Sequence, residues 1–265
     1  MHITEEDPMP EAPMPVTGTF CWTELHTTDP NNARGFYGEL LGWKLEDMPM
    51  PQGSYTMASV NGKHVAGLTK TSEEAAKMGA PPTWQSYIAV DDVKASASKA
   101  AELGGKVLVG ATQMGPGTFA VIQDPTGAVF LLWHTTTPMG TFLYGEPGAM
   151  NWNELITTDV VAAQAFYTKL FGWTAEATPG MDYTVFQQGD RQIGGLMSQP
   201  DEMKGAPSMW GVYFAVDDVD ASITKATKLG ATILAPVMDV PNVGRFAWLS
   251  DVQGAPFAVM TNASK

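Results

Sequence analysis

Trp22 and Glu24 sit two residues apart in a run of β-type sequence, and the same pair returns as Trp152 and Glu154. Residues at i and i+2 of a strand share a face, so each copy presents an indole and a carboxylate side by side. The carboxylate suits pairing with a cation or accepting a proton, and the indole face suits stacking on a flat or cationic group. Tyr87 and Tyr213, expected on the opposite wall, and Gln85 complete a candidate ligand-binding set of Trp22, Glu24, Gln85, Tyr87, Trp152, Glu154 and Tyr213. Flat apolar walls with a few polar groups are what a small-molecule pocket needs.

These residues recur because the chain is duplicated. Trp22-Thr23-Glu24-Leu25-His26-Thr27-Thr28-Asp29 returns as Trp152-Asn153-Glu154-Leu155-Ile156-Thr157-Thr158-Asp159. Phe36-Tyr37 matches Phe166-Tyr167, Tyr55-Thr56 matches Tyr183-Thr184, and Ala89-Val90-Asp91-Asp92-Val93 matches Ala215-Val216-Asp217-Asp218-Val219. A fixed-offset repeat of this length means two copies of one domain. The expected layout is a flexible tail at 1–15, a first domain at 16–136, a linker at 137–147 and a second domain at 148–262. Each copy is near the usual domain size and is expected to bury its own core.

Within each copy the pattern reads strand, helix, then three short strands, twice over. Asp29 can cap a helix with Pro30 at its first position, and Ala33, Phe36, Tyr37, Leu40 and Leu41 follow at helical spacing before Gly42. Asp92 and Asp218 open the second-module helices, with Val93, Ala97 and Ala100, and Val219, Ile223 and Ala226, on their inner faces. The expected fold class is α+β, with a cupped, mostly antiparallel sheet per domain and helices on its outer face. Trp43 and Trp173, which directly follow the helix-ending glycines, read as core anchors.

Composition removes several function classes. The net charge of −13 opposes nucleic acid, whose phosphates need clustered Lys and Arg. No window approaches the apolar length of a membrane span, and the Pro-, Met- and Glu-containing start lacks a signal-peptide core. The single cysteine, Cys21, reads as a buried thiol, which fits a reducing cytoplasm.

The modules resemble the vicinal oxygen chelate superfamily of glyoxalases, bleomycin-resistance proteins and extradiol dioxygenases. The resemblance is carried by Asp29-Pro30-Asn31-Asn32-Ala33-Arg34-Gly35-Phe36-Tyr37, Leu41-Gly42-Trp43 and Asp124-Pro125-Thr126-Gly127. The double Trp-x-Glu-Leu-x-Thr opening and Val243-Gly244-Arg245-Phe246-Ala247 are similar to two-domain glyoxalase-like proteins of actinobacteria, labelled hydroxylases or culture-filtrate antigens. The resemblance implies tandem glyoxalase-like domains, each of two βαβββ modules. In metal-dependent members it also implies a divalent ion in the cup, acting as a Lewis acid.

Carried over residue by residue, the implied ligand positions are Trp22, Gln85 and Leu131 in the first copy and Trp152, Gly211 and Ala258 in the second. Only Gln85 among them can coordinate, so no metal or other cofactor is expected. A rival reading places a divalent metal at His26, His134 and Glu24, since His26, His64 and His134 all lie in the first copy. His64 itself falls in an Asn-Gly hairpin and reads as exposed.

The favoured function is a cytoplasmic protein, monomer or homodimer, that binds a small aromatic or cationic molecule in Trp/Glu-lined cups without the usual metal. One alternative is a metal-dependent lyase, isomerase or oxygenase acting from the first domain. The other is a protein-interaction scaffold.

Overall fold

The computed structural model describes residues 14–50, 53–77, 79–137 and 143–263. Most of the expected tail and the centre of the expected linker, residues 1–13 and 138–142, lie outside the described residues. The first half runs β1 (Phe20–Thr27), α1 (Pro30–Leu41), β2 (Lys44–Met50), β3 (Gly53–Val60), β4 (Lys63–Lys70), α2 (Glu73–Lys77), β5 (Thr83–Ala89), α3 (Val93–Glu102), β6 (Lys106–Met114), β7 (Gly117–Gln123) and β8 (Val129–Thr135). The second half runs β9 (Met150–Thr157), α4 (Val160–Phe171), β10 (Thr174–Ala177), β11 (Tyr183–Gln188), β12 (Arg191–Ser198), β13 (Met209–Ala215), α5 (Val219–Lys228), β14 (Thr232–Ile233), β15 (Met238–Val240), β16 (Gly244–Ser250) and β17 (Pro256–Asn262). The fold is α+β, with two duplicated sheets.

Each sheet is assembled from two modules joined at its centre. The first has the order β2-β3-β4-β1-β5-β8-β7-β6, and the second β10-β11-β12-β9-β13-β17-β16-β14. The first and last strands of a module pair in parallel, as β1 with β4 and β5 with β8, while the remaining pairings are antiparallel. The centre of each sheet is therefore the β1–β5 or β9–β13 pair, and both carry a register shift just before the site, at Phe20/Trp22 and Tyr213/Phe214. A bulge of this kind re-aims side chains, and it brings Cys21 and Trp22 into one apolar cluster.

The helices form for the reasons visible in the sequence. Asp29, Asp92, Asp159 and Asp218 each accept a backbone N–H from the third residue beyond, and Gly42 and Gly172 end α1 and α4 in the left-handed conformation. The expected Asn-Gly hairpin is present, with φ of 51° at Asn61 and 74° at Gly62. His64 beside it is half-buried rather than exposed.

The core differs from expectation. The largest hydrophobic cluster contains residues of both halves, so the two domains share their main core, while each keeps a smaller cluster of its own. The helices face it, α1 beside α5 and α3 beside α4, rather than lying on an outer surface. The cause is a reciprocal exchange of aromatics. Tyr37 of α1 donates to Asp251 at 3.0 Å and Tyr167 of α4 donates to Asp124 at 3.0 Å. Trp43 donates to the Gly148 carbonyl and Trp173 to the Gly18 carbonyl, at 2.6 and 2.7 Å. The two tryptophans are core anchors, and the core they anchor is shared. With the back faces joined, the opposite face of each sheet carries its own apolar cluster, with Trp22, Tyr87, Leu131 and Trp133 in one and Tyr213, Trp248 and Ala258 in the other, and these two faces are the cups.

Candidate functional site

In the first cup, Trp22 pairs across the strands with Tyr87, and Glu24 with Gln85. Leu131 extends the Tyr87 row on β8, and Gly67 extends the Glu24 row on β4. Trp22, Glu24 and Tyr87 are only 5, 5 and 3 % exposed, so a buried carboxylate forms part of the floor. Burying it requires donors. The hydroxyls of Tyr55 and Tyr87 hydrogen-bond to it, and His26 Nε2 lies 2.8 Å from Glu24 Oε1. Burial and the facing carboxylate push both tyrosine hydroxyls well above their ordinary range, so both remain protonated donors at neutral pH.

Tyr55 reaches Glu24 because Gly67 leaves room. A Cβ at Gly67 would stand 1.8 Å from Tyr55 Oη, and Gly195 makes the same clearance for Tyr183. Each tyrosine hydroxyl in turn accepts an indole N–H, Trp22 to Tyr55 and Trp152 to Tyr183, both at 2.9 Å. The shared unit is thus indole to phenol to carboxylate.

The second cup repeats that unit and diverges around it. Tyr213 donates to Glu154 Oε2 at 2.7 Å, and Tyr183 is also hydrogen-bonded to that carboxylate. Ile156 stands where His26 stands, so among the described residues no imidazole reaches Glu154. Burial raises the Glu154 pKa, partly offset by the two tyrosine hydrogen bonds. Gly211 stands in place of Gln85, and a Cβ there would lie 2.0 Å from Trp248 Cη2. Trp248 occupies that space, 8 % exposed, and donates to Tyr213 at 3.0 Å. The first cup carries the half-buried Val121 at the matching position.

All seven sequence-predicted ligand residues therefore come together, four in the first cup and three in the second. Tyr87 and Tyr213 are not on an opposite wall. They lie directly beside Trp22 and Trp152 and bond the carboxylates themselves. The carboxylates' partners are phenols and His26, not backbone or indole N–H groups. Gln85 differs again, because its Oε1 is buried and has no hydrogen-bond partner among the described residues.

The rival trio of His26, His134 and Glu24 is not assembled. His26 and Glu24 touch, but His134 is one residue past the cup-facing Trp133 and so points to the other face, with Nδ1 3.0 Å from the Val90 carbonyl. It lines a groove of about 190 Å³ with Thr17, Asp91 and Trp133. Cys21 is buried as expected, its thiol pushed up to about 12 by burial. Sequence reasoning missed Tyr55, Tyr183 and Trp248. The first two were visible as a repeated pair, and Trp248 as one of two tryptophans without a repeat partner.

A sequence profile described as the Glyoxalase/Bleomycin resistance protein/Dioxygenase superfamily matches residues 19–132 and 149–259. The chain belongs to that superfamily. It is 44 % identical over 252 residues to "Putative glyoxylase CFP32" of Mycobacterium tuberculosis (strain CDC 1551 / Oshkosh), covering 93 % of this chain and 95 % of that one. It is 32 % identical over 258 residues to "Anthracycline biosynthesis protein DnrV" of Streptomyces peucetius, covering 92 % and 93 %. Among solved structures, the Mn(II)-bound glyoxalase from Novosphingobium aromaticivorans matches with a TM-score of 0.64 at 16 % identity, over 92 % of this chain and 82 % of that chain. The 2,3-dioxygenase LapB from Pseudomonas sp. KL28 matches at 0.65 and 11 %, over 94 % of both. These structural matches share the superfamily's fold.

The superfamily's metal pattern can be tested against the donors present. Trp152, Gly211 and Ala258 offer no lone pair to a divalent ion, and in the first cup only Gln85 does. These positions do not fit the ion. Among the described residues, no group of three or more His, Cys, Asp and Glu side chains is placed to hold one. No helix among them is long and apolar enough to cross a membrane.

Proposed function

We propose that the first cup binds a small planar aromatic molecule carrying hydroxyl or N–H donors, without the superfamily's metal. The observation that carries this reading is the orphaned Gln85 Oε1. A buried acceptor without a partner costs about 1–3 kcal/mol, and a ligand O–H or N–H placed against it removes that cost on binding. Glu24 lies directly across the strand pair, and His26, its side chain 36 % exposed, stands at the rim. The donors already on Glu24 make a neutral aromatic a better fit than a free cation. The name of the Streptomyces relative, an anthracycline biosynthesis protein, supports a hydroxylated polycyclic class.

The Glu24–His26 contact favours a catalytic version of the same reading. A carboxylate that holds one imidazole nitrogen orients the ring for proton transfer at the other, and a phenolic ligand supplies a proton to move.

The test is a screen of hydroxylated naphthalenes and anthraquinones against metal-free protein, read by quenching of tryptophan fluorescence and repeated with Gln85→Leu. Removing the orphan raises the thermal stability of the free protein and weakens the best ligand by about tenfold, equivalent to ~1.4 kcal/mol. Unchanged affinity in both Gln85→Leu and Trp22→Ala overturns the proposal. Stoichiometric metal in protein purified without added metal returns the superfamily's usual chemistry to first place.

A further inference from the structure

The two cups hold their unrepeated indoles at different places: Trp133 stands edge-on to Tyr87 in the first, with ring centroids 6.3 Å apart, and Trp248 fills the space over Gly211 in the second. Trp248 projects from β16 across Ala258 and lies over Gly211 so closely that no side chain fits there. Its Nε1 donates to Tyr213 Oη at 3.0 Å, the ring stands edge-on to Tyr213 with centroids 5.1 Å apart, and Tyr213 passes a hydrogen bond to Glu154 at 2.7 Å. Trp248 and the two residues that admit it change together, since Trp248, Gly211 and Ala258 correspond to Val121, Gln85 and Leu131. The first domain's Trp133, which has no counterpart in the repeat, covers Gly117, and the half-buried Val121 stands at the position of Trp248.

We infer that Trp248 is a built-in occupant of the second cup, leaving one cup per chain for a free ligand, and that its pose gives the ligand class. That class is a planar bicyclic aromatic whose N–H or O–H edge meets the phenol at the carboxylate. In the first cup the corresponding acceptors are Tyr87 Oη and Gln85 Oε1. The assignment of this class to the first cup rests on the proposed function, whereas the self-occupancy of the second cup does not.

Fluorine NMR of fluoroindole, with fluorobenzofuran as the control that lacks the N–H, tests both parts. Wild type gives one bound resonance. Trp248→Ala gives a second, and both sites prefer fluoroindole by about fivefold or more, the ratio expected for one hydrogen bond. Adding Tyr213→Phe erases the preference at the second site alone. Val121→Trp with Gln85→Gly, which copies the second cup's pair into the first, removes the wild-type resonance. Trp248→Val, carrying the first cup's own residue, replaces Trp248→Ala if the latter does not fold. An emptied second cup that binds neither molecule, or both equally, overturns the self-occupancy, since an incidental core cavity has no use for the N–H. Wild type without a bound resonance, beside a Trp248→Ala variant with one, overturns the first-cup proposal and leaves the self-occupancy standing.

Discussion

The two cups share a floor and differ at the rim. Trp22, Tyr55, Glu24 and Tyr87 in one correspond to Trp152, Tyr183, Glu154 and Tyr213 in the other, with the same indole-to-phenol distance of 2.9 Å. Around that floor, His26, Gln85 and Val121 are all half-buried, while Ile156, Gly211 and Trp248 are all buried. The difference separates two roles that the duplication alone confuses. Whatever both cups keep has at least a part in the sheet, because it persists where a tryptophan already fills the space. What only the first cup has is an imidazole on its carboxylate and an acceptor with no donor among the described residues, and those are the features on which the proposed recognition turns.

The comparison breaks first, and hardest, at the shared floor. Gly67→Ala and Gly195→Ala each drive a methyl into a tyrosine hydroxyl that lies 1.8 Å from the new carbon, and the ring beneath is itself held by the carboxylate. Both variants are expected to lose about 3 kcal/mol, the upper end for overpacking a closed site, in denaturant unfolding. A large loss in one and none in the other shows that the floors are not equivalent. Tyr213→Phe comes next. It strands the Trp248 indole N–H and takes one donor from Glu154, for an expected loss of about 2 kcal/mol. Tyr87→Phe costs about half that, because Tyr55 and His26 still serve Glu24. Equal losses from the two Tyr→Phe variants argue that Trp248 is not tied to the second cup's network.

Much of this was legible before the structure. The repeat exposed the floor residues, and the period-2 rule put Trp22 with Glu24 and Tyr87 with Gln85 on one face. Asp29 and Asp92 capped the helices they were read to cap. Tyr55 escaped because it reaches the carboxylate from β3, two strands away, over a glycine whose lack of a side chain carries no polarity signal. Trp248 escaped because a repeat marks residues that recur, and its meaning lies in not recurring. The shared core escaped for a different reason. Tyr37 bonding Asp251 is a contact between repeats, and helical periodicity shows only that Tyr37 is buried, not whose residues bury it.

A pH experiment sharpens the comparison through Glu154. Its pKa is raised in the folded protein by burial, so the fold binds that proton more tightly than the unfolded chain does. The stability associated with the shift is fully present below the unfolded value of about 4.5 and is lost as pH rises through the folded value. Glu154→Gln removes this dependence and gains on wild type as pH climbs above 4.5. The quantity to measure is the difference in Tm between variant and wild type from pH 4 to 8. Exposed pairs such as Arg245 with Asp220 titrate in both proteins and cancel in that difference. A difference that stays flat across the range shows that Glu154 feels no net penalty for its charge.

The smallest effect is expected where the first cup is most its own. His26→Ile installs the second cup's residue and removes the imidazole on Glu24. The His26 side chain is 36 % exposed, so the pair is screened by solvent, and the loss of stability is expected to be under ~1 kcal/mol. The two tyrosine hydroxyls keep the carboxylate satisfied, as they do for Glu154. If His26 served the fold, this substitution would match Tyr87→Phe in cost. A variant that keeps its Tm within about 3 °C of wild type but loses aromatic binding places His26 on the ligand's side of the cup. Its imidazole then belongs with Gln85, among the residues that make the first cup different from the second.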